Sequence, residues 1–174
     1  MLPNLTFILG GAASGKSNYS ESLAKRCDIP RIYLATAQAF DREMTQKIAA
    51  HRRSRAADGW VTIEEPLALA DALGRAPGGA LVLLDCLTLW LSNILLAERD
   101  IAAEIDALMP ALVGRDAPLI VVSNEVGAGI VPETPLGRRF RTAQGGLNQA
   151  VAARAHLVVS VMAGLPLALK GQLP

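Results

Sequence analysis

The segment Leu5-Thr-Phe-Ile-Leu-Gly-Gly-Ala-Ala-Ser-Gly-Lys-Ser17 joins an apolar run to the pattern G-x-x-x-x-G-K-[ST]. An amphipathic stretch without Gly or Pro, residues 18–27, follows. This order predicts a strand, a phosphate-binding loop and a helix. Glycines let successive backbone N–H groups turn toward one point, and the helix that follows directs its positive dipole end there. The segment therefore predicts binding of a nucleoside triphosphate.

The same pattern predicts how the triphosphate would be held. Lys16 would reach the terminal phosphates as a point charge, and the Ser17 hydroxyl would be a ligand of Mg2+. Asp85 ends the apolar run 80–84, as a Walker-B acid does, and would hold the same ion directly or through water. The alternatives are a glycine-rich turn without a ligand and, for Asp85, an ordinary polar strand end. The expected phosphate contacts are Gly10, Gly11, Ala12, Ala13, Ser14, Gly15, Lys16 and Ser17.

Length and composition predict one compact domain over residues 1–174 with an α/β core. Hydrophobic residues make up 51% of the chain, and the mean hydropathy is +0.31, which excludes a disordered chain. The net charge is +1, from 17 basic and 16 acidic residues. Such a balance gives no global field for holding nucleic acid or an anionic membrane, so any basic patch must be local.

Cysteine usage indicates a reducing compartment. Cys27 and Cys86 show no metal-ligand spacing and are too few for a disulfide framework. We expect both thiols to be reduced and structural and the protein to be cytoplasmic, since the N-terminal residues show neither a basic n-region nor a cleavage site. Residues 80–97 are nearly all apolar, but Asp85 and Asn93 would be expensive in lipid. This stretch is therefore predicted to be a buried strand and helix, not a membrane span.

Strand patterns alternate with helix patterns along the rest of the chain, which predicts a mainly parallel sheet with helices on both faces. Strands are predicted over 31–36, 60–65, 80–84, 118–123 and 157–161, with an edge hairpin through 165–169. Helices are predicted over 42–57, 66–74, 88–97, 102–113 and 136–154. Ligands gather at the carboxyl ends of such strands. The groups expected there are residues 10–17, Thr36, Glu64, Glu65, Asp85, Asn124 and Glu125.

The run His51-Arg52-Arg53-Ser54-Arg55 is a second candidate for chemistry. His51 continues the apolar face of Met44 and Ile48 at helical spacing. A neutral imidazole is a good nucleophile toward phosphorus, and neighbouring guanidinium groups favour its neutral form while they neutralise a triphosphate. The alternative is a solvated helix end whose cations complement the dipole. The other histidine, His156, has no basic neighbours in sequence and is interpreted as structural.

Two further groups of residues leave both interpretations open. Asn124 and Glu125 end a strand near the phosphate loop, where they could orient a hydroxyl or a water, or could simply cap the strand end. Arg138, Arg139 and Arg141 follow the glycine and proline loop 126–135. They could clamp a substrate phosphate or form a solvated face.

Five stretches carry a resemblance to a known family: Gly10–Ser17, Tyr33–Thr36, Glu43-Met44 through His51-Arg52, Leu84–Asn93 and Ser123–Glu133. Together they span almost the whole chain and resemble the bifunctional adenosylcobinamide kinase / adenosylcobinamide-phosphate guanylyltransferase of cobalamin biosynthesis. The phosphate loop alone is common to many nucleotide enzymes. Its combination with the histidine segment and the Asn-Glu-Val-Gly loop is far more specific.

The resemblance implies a RecA-like P-loop fold, a homotrimer and two activities in the presence of Mg2+. In the first, ATP or GTP phosphorylates the hydroxyl of the aminopropanol arm of adenosylcobinamide. In the second, GTP transfers GMP to a histidine that matches His51, with release of pyrophosphate, and adenosylcobinamide phosphate then collects the GMP. Lys16 and His51 would be the catalytic residues.

The resemblance also implies a set of nucleotide contacts beyond the phosphate loop. These are Ala35, Thr36, Ala37, Arg52, Arg53, Ser54, Arg55, Glu64 and Asp85. The chain departs from the family at Ala13, where relatives often carry Arg, and at Ala50, where some carry a second His. Neither departure removes an essential group, but a role that needs an adjacent histidine pair cannot apply here.

Two rival functions fit parts of the same pattern. One is a P-loop kinase for another small metabolite, in which His51 is structural. The other is a RecA-like ATPase that binds nucleic acid through Arg52, Arg53 and Arg55. The near-zero net charge and the lack of aromatic residues between those arginines count against nucleic-acid binding.

Overall fold

A computed structural model of the protein describes residues 2–38, 53 and 55–174. Its strands are β1 (Leu5–Gly10), β2 (Arg31–Ala35), β3 (Trp60–Glu64), β4 (Leu81–Asp85), β5 (Leu119–Asn124), β6 (Leu157–Met162) and β7 (Leu165–Lys170). All seven strands in this part of the chain form one sheet in the order β3-β2-β4-β5-β1-β6-β7. Every neighbouring pair is parallel except β6 and β7, which form an antiparallel hairpin at the edge. The predicted strands and edge hairpin are thus confirmed.

The helices in the described residues also follow the prediction. They are α1 (Lys16–Lys25), α2 (Leu69–Arg75), α3 (Leu87–Leu96), α4 (Ile101–Val113) and α5 (Pro135–Arg154). Asp100 caps α4 by accepting bonds from Ala102 N and Ala103 N. Thr134 caps α5 in the same way, with Pro135 in the first turn. Of the helix predicted over 42–57, residues 53 and 55–57 are helical, and the others lie outside the described residues.

One predicted boundary is wrong, at the start of α2. Pro66 was expected to open this helix, yet it begins at Leu69. Oε1 of Glu65 accepts bonds from Leu67 N at 3.0 Å and from Ala68 N at 2.8 Å. Because the carboxylate satisfies these two amides in a turn, the chain does not need helical bonds there and the helix starts three residues later.

The sheet is buried on both faces, which explains its apolar strands. In β4, Val82 and Leu84 belong to one hydrophobic cluster and Leu81 and Leu83 to the other. The first cluster includes side chains of α2, α3, α4 and α5, and the second includes those of α1. Among the described residues, no helix combines the length and apolar character that a bilayer span requires.

Candidate functional site

The glycine-rich loop lies between the end of β1 and the start of α1, and its close packing requires glycine at two positions. A Cβ on Gly10 would lie 2.6 Å from Val161 O, and a Cβ on Gly15 would lie 3.0 Å from Gly164 Cα. Gly15 also has a φ of 93°. In addition, Gly164 N donates a bond of 2.8 Å to Ser14 O. The turn between β6 and β7 thus packs directly against the loop at Ser14 and Gly15.

We expect Gly15→Ala to destabilise the folded protein by about 1–3 kcal/mol, because alanine disfavours a positive φ and its methyl group meets Gly164. Chemical denaturation of the nucleotide-free protein measures this change. Gly11→Ala is the matched control, since a Cβ there meets nothing within 4 Å. Equal stability of the two variants would contradict the strain at Gly15.

The residues expected to bind the terminal phosphates and Mg2+ lie together at this loop. Nζ of Lys16 donates to Gly11 O at 3.0 Å, and the Ser17 hydroxyl donates to Oδ2 of Asp85 at 3.2 Å. Asp85 ends β4, and the loop follows β1, so the two flank β5. A hydroxyl and a carboxylate are oxygen ligands of the kind that Mg2+ prefers. The pair therefore fits the ion, and its role as a metal site stays a prediction.

A larger metal-binding cluster is absent from the described residues, where no three His, Cys, Asp or Glu side chains could hold an ion together. Mg2+ commonly takes one or two protein ligands and completes its shell with water and substrate phosphates.

Tyr33 is buried against Asp85, and Arg55 is buried against the ring of Tyr33. The Tyr33 hydroxyl donates to Oδ2 of Asp85 at 2.7 Å, and the guanidinium carbon of Arg55 lies 3.5 Å from the Tyr33 ring centroid. Burial, and then the nearby Asp85 carboxylate, raise the pKa of Tyr33 well above its usual value, so the hydroxyl stays protonated. Arg55, for which a nucleotide contact is predicted, is only 8% exposed, and its guanidinium packs on the Tyr33 ring.

Thr36 is fully buried and braces the site from within. Its hydroxyl donates to Cys86 O at 2.7 Å and accepts from Cys86 N at 2.9 Å, while Asn93 Nδ2 donates to Thr36 O at 2.8 Å. These bonds hold the end of β2 to the connection between β4 and α3. Burial raises the pKa of the Cys86 thiol to about 11, so it is neutral. Cys27 and Cys86 are both free thiols, as expected.

Glu125, Arg138 and Arg141, whose roles the sequence left open, hold the loop that follows β5. Oε1 of Glu125 accepts a bond from Gly127 N, and Arg141 donates to Gly127 O. Arg138 donates to the carbonyls of Pro132 and Glu133 at 3.1 and 2.6 Å. These contacts favour a role in shaping the loop over a role as a phosphate clamp.

A buried polar network that the sequence did not indicate lies behind Asn124. Asn124 N donates to the Thr88 hydroxyl at 2.7 Å, and Asn148 Nδ2 donates to Asn124 O at 3.1 Å. Ser123 and Gln144 connect the two, since both donate to Oδ1 of Asn148, at 2.8 and 2.9 Å. The backbone at the end of β5 is therefore fixed by α3 and α5 together.

The structure brings three of the predicted nucleotide contacts, Ala35, Glu64 and Asp85, side by side. Ala35 pairs in register with Asp85 on one side and with Glu64 on the other, so the ends of β2, β3 and β4 are adjacent. Arg53 is exposed. The predicted residues His51, Arg52 and Ser54 lie outside the described residues. The binding role of every residue in this set stays a prediction.

Comparisons with known proteins cover almost the whole chain. A family model described as cobinamide kinase / cobinamide phosphate guanyltransferase matches residues 6–169. The bifunctional adenosylcobalamin biosynthesis protein CobP of Pseudomonas aeruginosa is 48% identical over 95% of this chain and 96% of its own. The bifunctional adenosylcobalamin biosynthesis protein CobU of Salmonella typhimurium is 37% identical over 95% of this chain and 99% of its own.

Among solved structures, the assembled ATPase EscN of a type III secretion system is similar in fold. It has a TM-score of 0.57 and 16% sequence identity, over 92% of this chain and 43% of its own. Such a likeness concerns the fold alone, and it supports the predicted RecA-like P-loop architecture.

Proposed function

Since the chain belongs to the cobinamide kinase / cobinamide phosphate guanyltransferase family, we propose that one nucleotide site, built on residues 10–17, serves both reactions in that description. The protein is a bifunctional enzyme of adenosylcobalamin biosynthesis, with kinase and guanylyltransferase activities on cobinamide substrates. Neither a kinase for an unrelated metabolite nor a nucleic-acid-binding ATPase is favoured by this family membership. ATP and GTP are substrates that fit the family.

The observation that carries the proposed site is the 3.2 Å bond from Ser17 to Asp85 beside Lys16. Bound Mg2+ would neutralise charge that develops on the transferred group. Ser17 and Asp85 would hold the ion, and Lys16 would leave the Gly11 carbonyl to bind the terminal phosphates. The backbone N–H groups of the loop and the start of α1 would bind the remaining phosphate oxygens.

In the kinase reaction, the hydroxyl of adenosylcobinamide attacks the γ-phosphorus of ATP or GTP. A new O–P bond forms, the bond to the β-phosphate oxygen breaks, the hydroxyl proton is released to water, and the nucleoside diphosphate leaves. Lys16 stabilises the charge on the transferred phosphoryl group in the transition state.

In the second reaction, we propose that a ring nitrogen of His51 attacks the α-phosphorus of GTP. An N–P bond forms and pyrophosphate leaves. A phosphate oxygen of adenosylcobinamide phosphate then attacks the same phosphorus, which gives adenosylcobinamide-GDP and frees the histidine. A covalent carrier divides the transfer into two displacements, so one small site can receive GTP and a bulky corrinoid in turn.

The remaining nucleotide contacts in this proposal are Ala35, Thr36, Ala37, Arg52, Arg53, Ser54, Arg55 and Glu64. We further propose that residues 1–174 form one domain, since the described strands share one sheet. The proposal also includes a homotrimer and a cytoplasmic location, which agrees with two free thiols.

Product analysis tests this function. The protein is mixed with adenosylcobinamide, GTP and Mg2+, and we expect adenosylcobinamide-GDP, GDP and pyrophosphate, with no turnover in EDTA. A second reaction that starts from adenosylcobinamide phosphate and GTP isolates the guanylyl transfer. Accumulation of adenosylcobinamide phosphate alone would refute the second activity, and no product from either substrate would refute the proposal.

A further inference from the structure

Asp85 receives two hydrogen bonds on the same carboxylate oxygen. Tyr33 donates to Oδ2 at 2.7 Å, and Ser17 donates to the same atom at 3.2 Å. Both bonds converge on Oδ2, so neither occupies Oδ1, the oxygen that a cation or its bound water would approach. When Ser17 turns its oxygen toward an ion, the shorter bond from Tyr33 remains to hold the carboxylate.

The ring of Tyr33 is itself fixed by two neighbours. Trp60 contacts it edge to face, with ring centroids 5.9 Å apart and planes at 82°. The guanidinium of Arg55 lies over its face at 3.5 Å, and Nε of Arg55 is buried without a hydrogen-bond partner in the described part of the chain. A cation over the ring face draws electron density from the ring and makes its hydroxyl a stronger donor. Tyr33 therefore connects a buried cation to the Asp85 carboxylate.

We propose that Tyr33 is a positioning residue for the nucleotide-bound metal ion. Its hydroxyl fixes Oδ2 of Asp85, and the carboxylate thereby presents Oδ1 to the cation. Outer partners of this kind hold metal ligands in the orientation that binding requires, and they strengthen the ligand. This inference rests on the proposed function, because it needs a metal ion and a nucleotide at residues 10–17.

The geometry also gives Arg55 a place in this arrangement. Arg55 contacts the ring and not the carboxylate in the bonds described, so it acts on Asp85 through Tyr33. Arg55 follows His51 by four positions in sequence. One described residue of the run that contains the proposed nucleophile, Arg55, therefore contacts the tyrosine that orients the metal carboxylate.

Tyr33→Phe tests the proposal, because it removes the hydroxyl and keeps the ring that contacts Trp60 and Arg55. The measurement is the affinity for Mn2+, as a probe for Mg2+, in the complex with a non-hydrolysable GTP analogue, from the electron paramagnetic resonance of free Mn2+. We expect the Kd for Mn2+ to rise by about 10- to 100-fold. Affinity for the analogue in EDTA should stay near the wild-type value.

Tyr19→Phe is the matched control, since Tyr19 on α1 is the only other tyrosine and should leave Mn2+ affinity unchanged. Thermal unfolding checks that each variant is folded. Asp85→Asn, measured alone and combined with Tyr33→Phe, completes a double-mutant cycle. Tyr33 should then have little further effect on Mn2+ affinity, because it acts through the carboxylate.

The outcomes separate this inference from the proposed function. Wild-type Mn2+ affinity in Tyr33→Phe would overturn the positioning role and leave Tyr33 as a core residue. An equal loss of analogue affinity with and without metal would overturn it as well. Failure of the wild-type protein to bind Mn2+ with the analogue would instead refute the proposed nucleotide site.

Discussion

Replacing His51 with alanine is expected to abolish GMP transfer while phosphorylation of adenosylcobinamide continues. The imidazole is the group that would bond to the α-phosphorus, whereas the kinase reaction uses the substrate hydroxyl as its nucleophile. Removal of a covalent nucleophile lowers kcat by about four orders of magnitude or more. The kinase rate should stay within about tenfold of wild type, because the groups that stabilise its transition state are kept.

Incubation with GTP labelled at the α-phosphate measures the intermediate directly. The wild-type protein should retain an acid-labile, base-stable label, as expected for a bond between phosphorus and nitrogen, and His51→Ala should not. His156→Ala is the matched control, since the chain has only two histidines and the side chain of His156 is exposed. Equal labelling of His51→Ala and wild type would disprove the carrier assignment, as would loss of label in His156→Ala.

Replacing Lys16 with alanine is expected to reduce both activities. The ammonium group would bind the terminal phosphates whether the γ-phosphoryl group is transferred or pyrophosphate leaves. Loss of one preorganised group that stabilises transition-state charge lowers kcat by about 100- to 1,000-fold. Steady-state rates with adenosylcobinamide and with adenosylcobinamide phosphate, measured separately, give the two effects.

Lys25→Ala is the control for removal of a positive charge from the same helix. Lys25 donates to Asp58 at 2.6 Å, and both side chains are more than 40% exposed, so the pair contributes about 1 kcal/mol or less to stability. Both activities should survive this change. If Lys16→Ala kept one activity at the wild-type rate, the two reactions would not share the phosphate loop.

The fold could be predicted because most of its determinants are local in sequence. The run 80–84 is apolar throughout because β4 is covered on both faces, and Pro135 stands in the first turn of α5, as this residue prefers. The start of α2 could not be predicted in this way. It depends on the direction of the Glu65 side chain, whose hydrogen bonds compete with the helix for two amides.

In the candidate site, too, the features that are local in sequence could be predicted and those that depend on tertiary contacts could not. Ser17 and Asp85 could be paired from sequence, because Asp85 ends one strand and the loop that leads to Ser17 follows another at the same edge of a parallel sheet. The contact of Tyr33 with Asp85 requires the register of β2 on β4, and the cation over its ring requires a segment from elsewhere in the chain. Tyr33 belongs to a stretch that carries the family resemblance, but a hydroxyl within a buried strand does not indicate this contact. The network around Asn148 likewise depends on how α5 packs against β5.

The bond from Gly164 N to Ser14 O ties the hairpin of β6 and β7 to the phosphate loop, although none of the hairpin's residues belongs to a nucleotide-binding motif. Inserting or deleting a residue in that turn would displace Gly164 from Ser14, and we expect the affinity for GTP to fall. A screen of single-residue insertions and deletions for cobalamin synthesis should therefore find the turn at residues 163–164 among its sensitive positions.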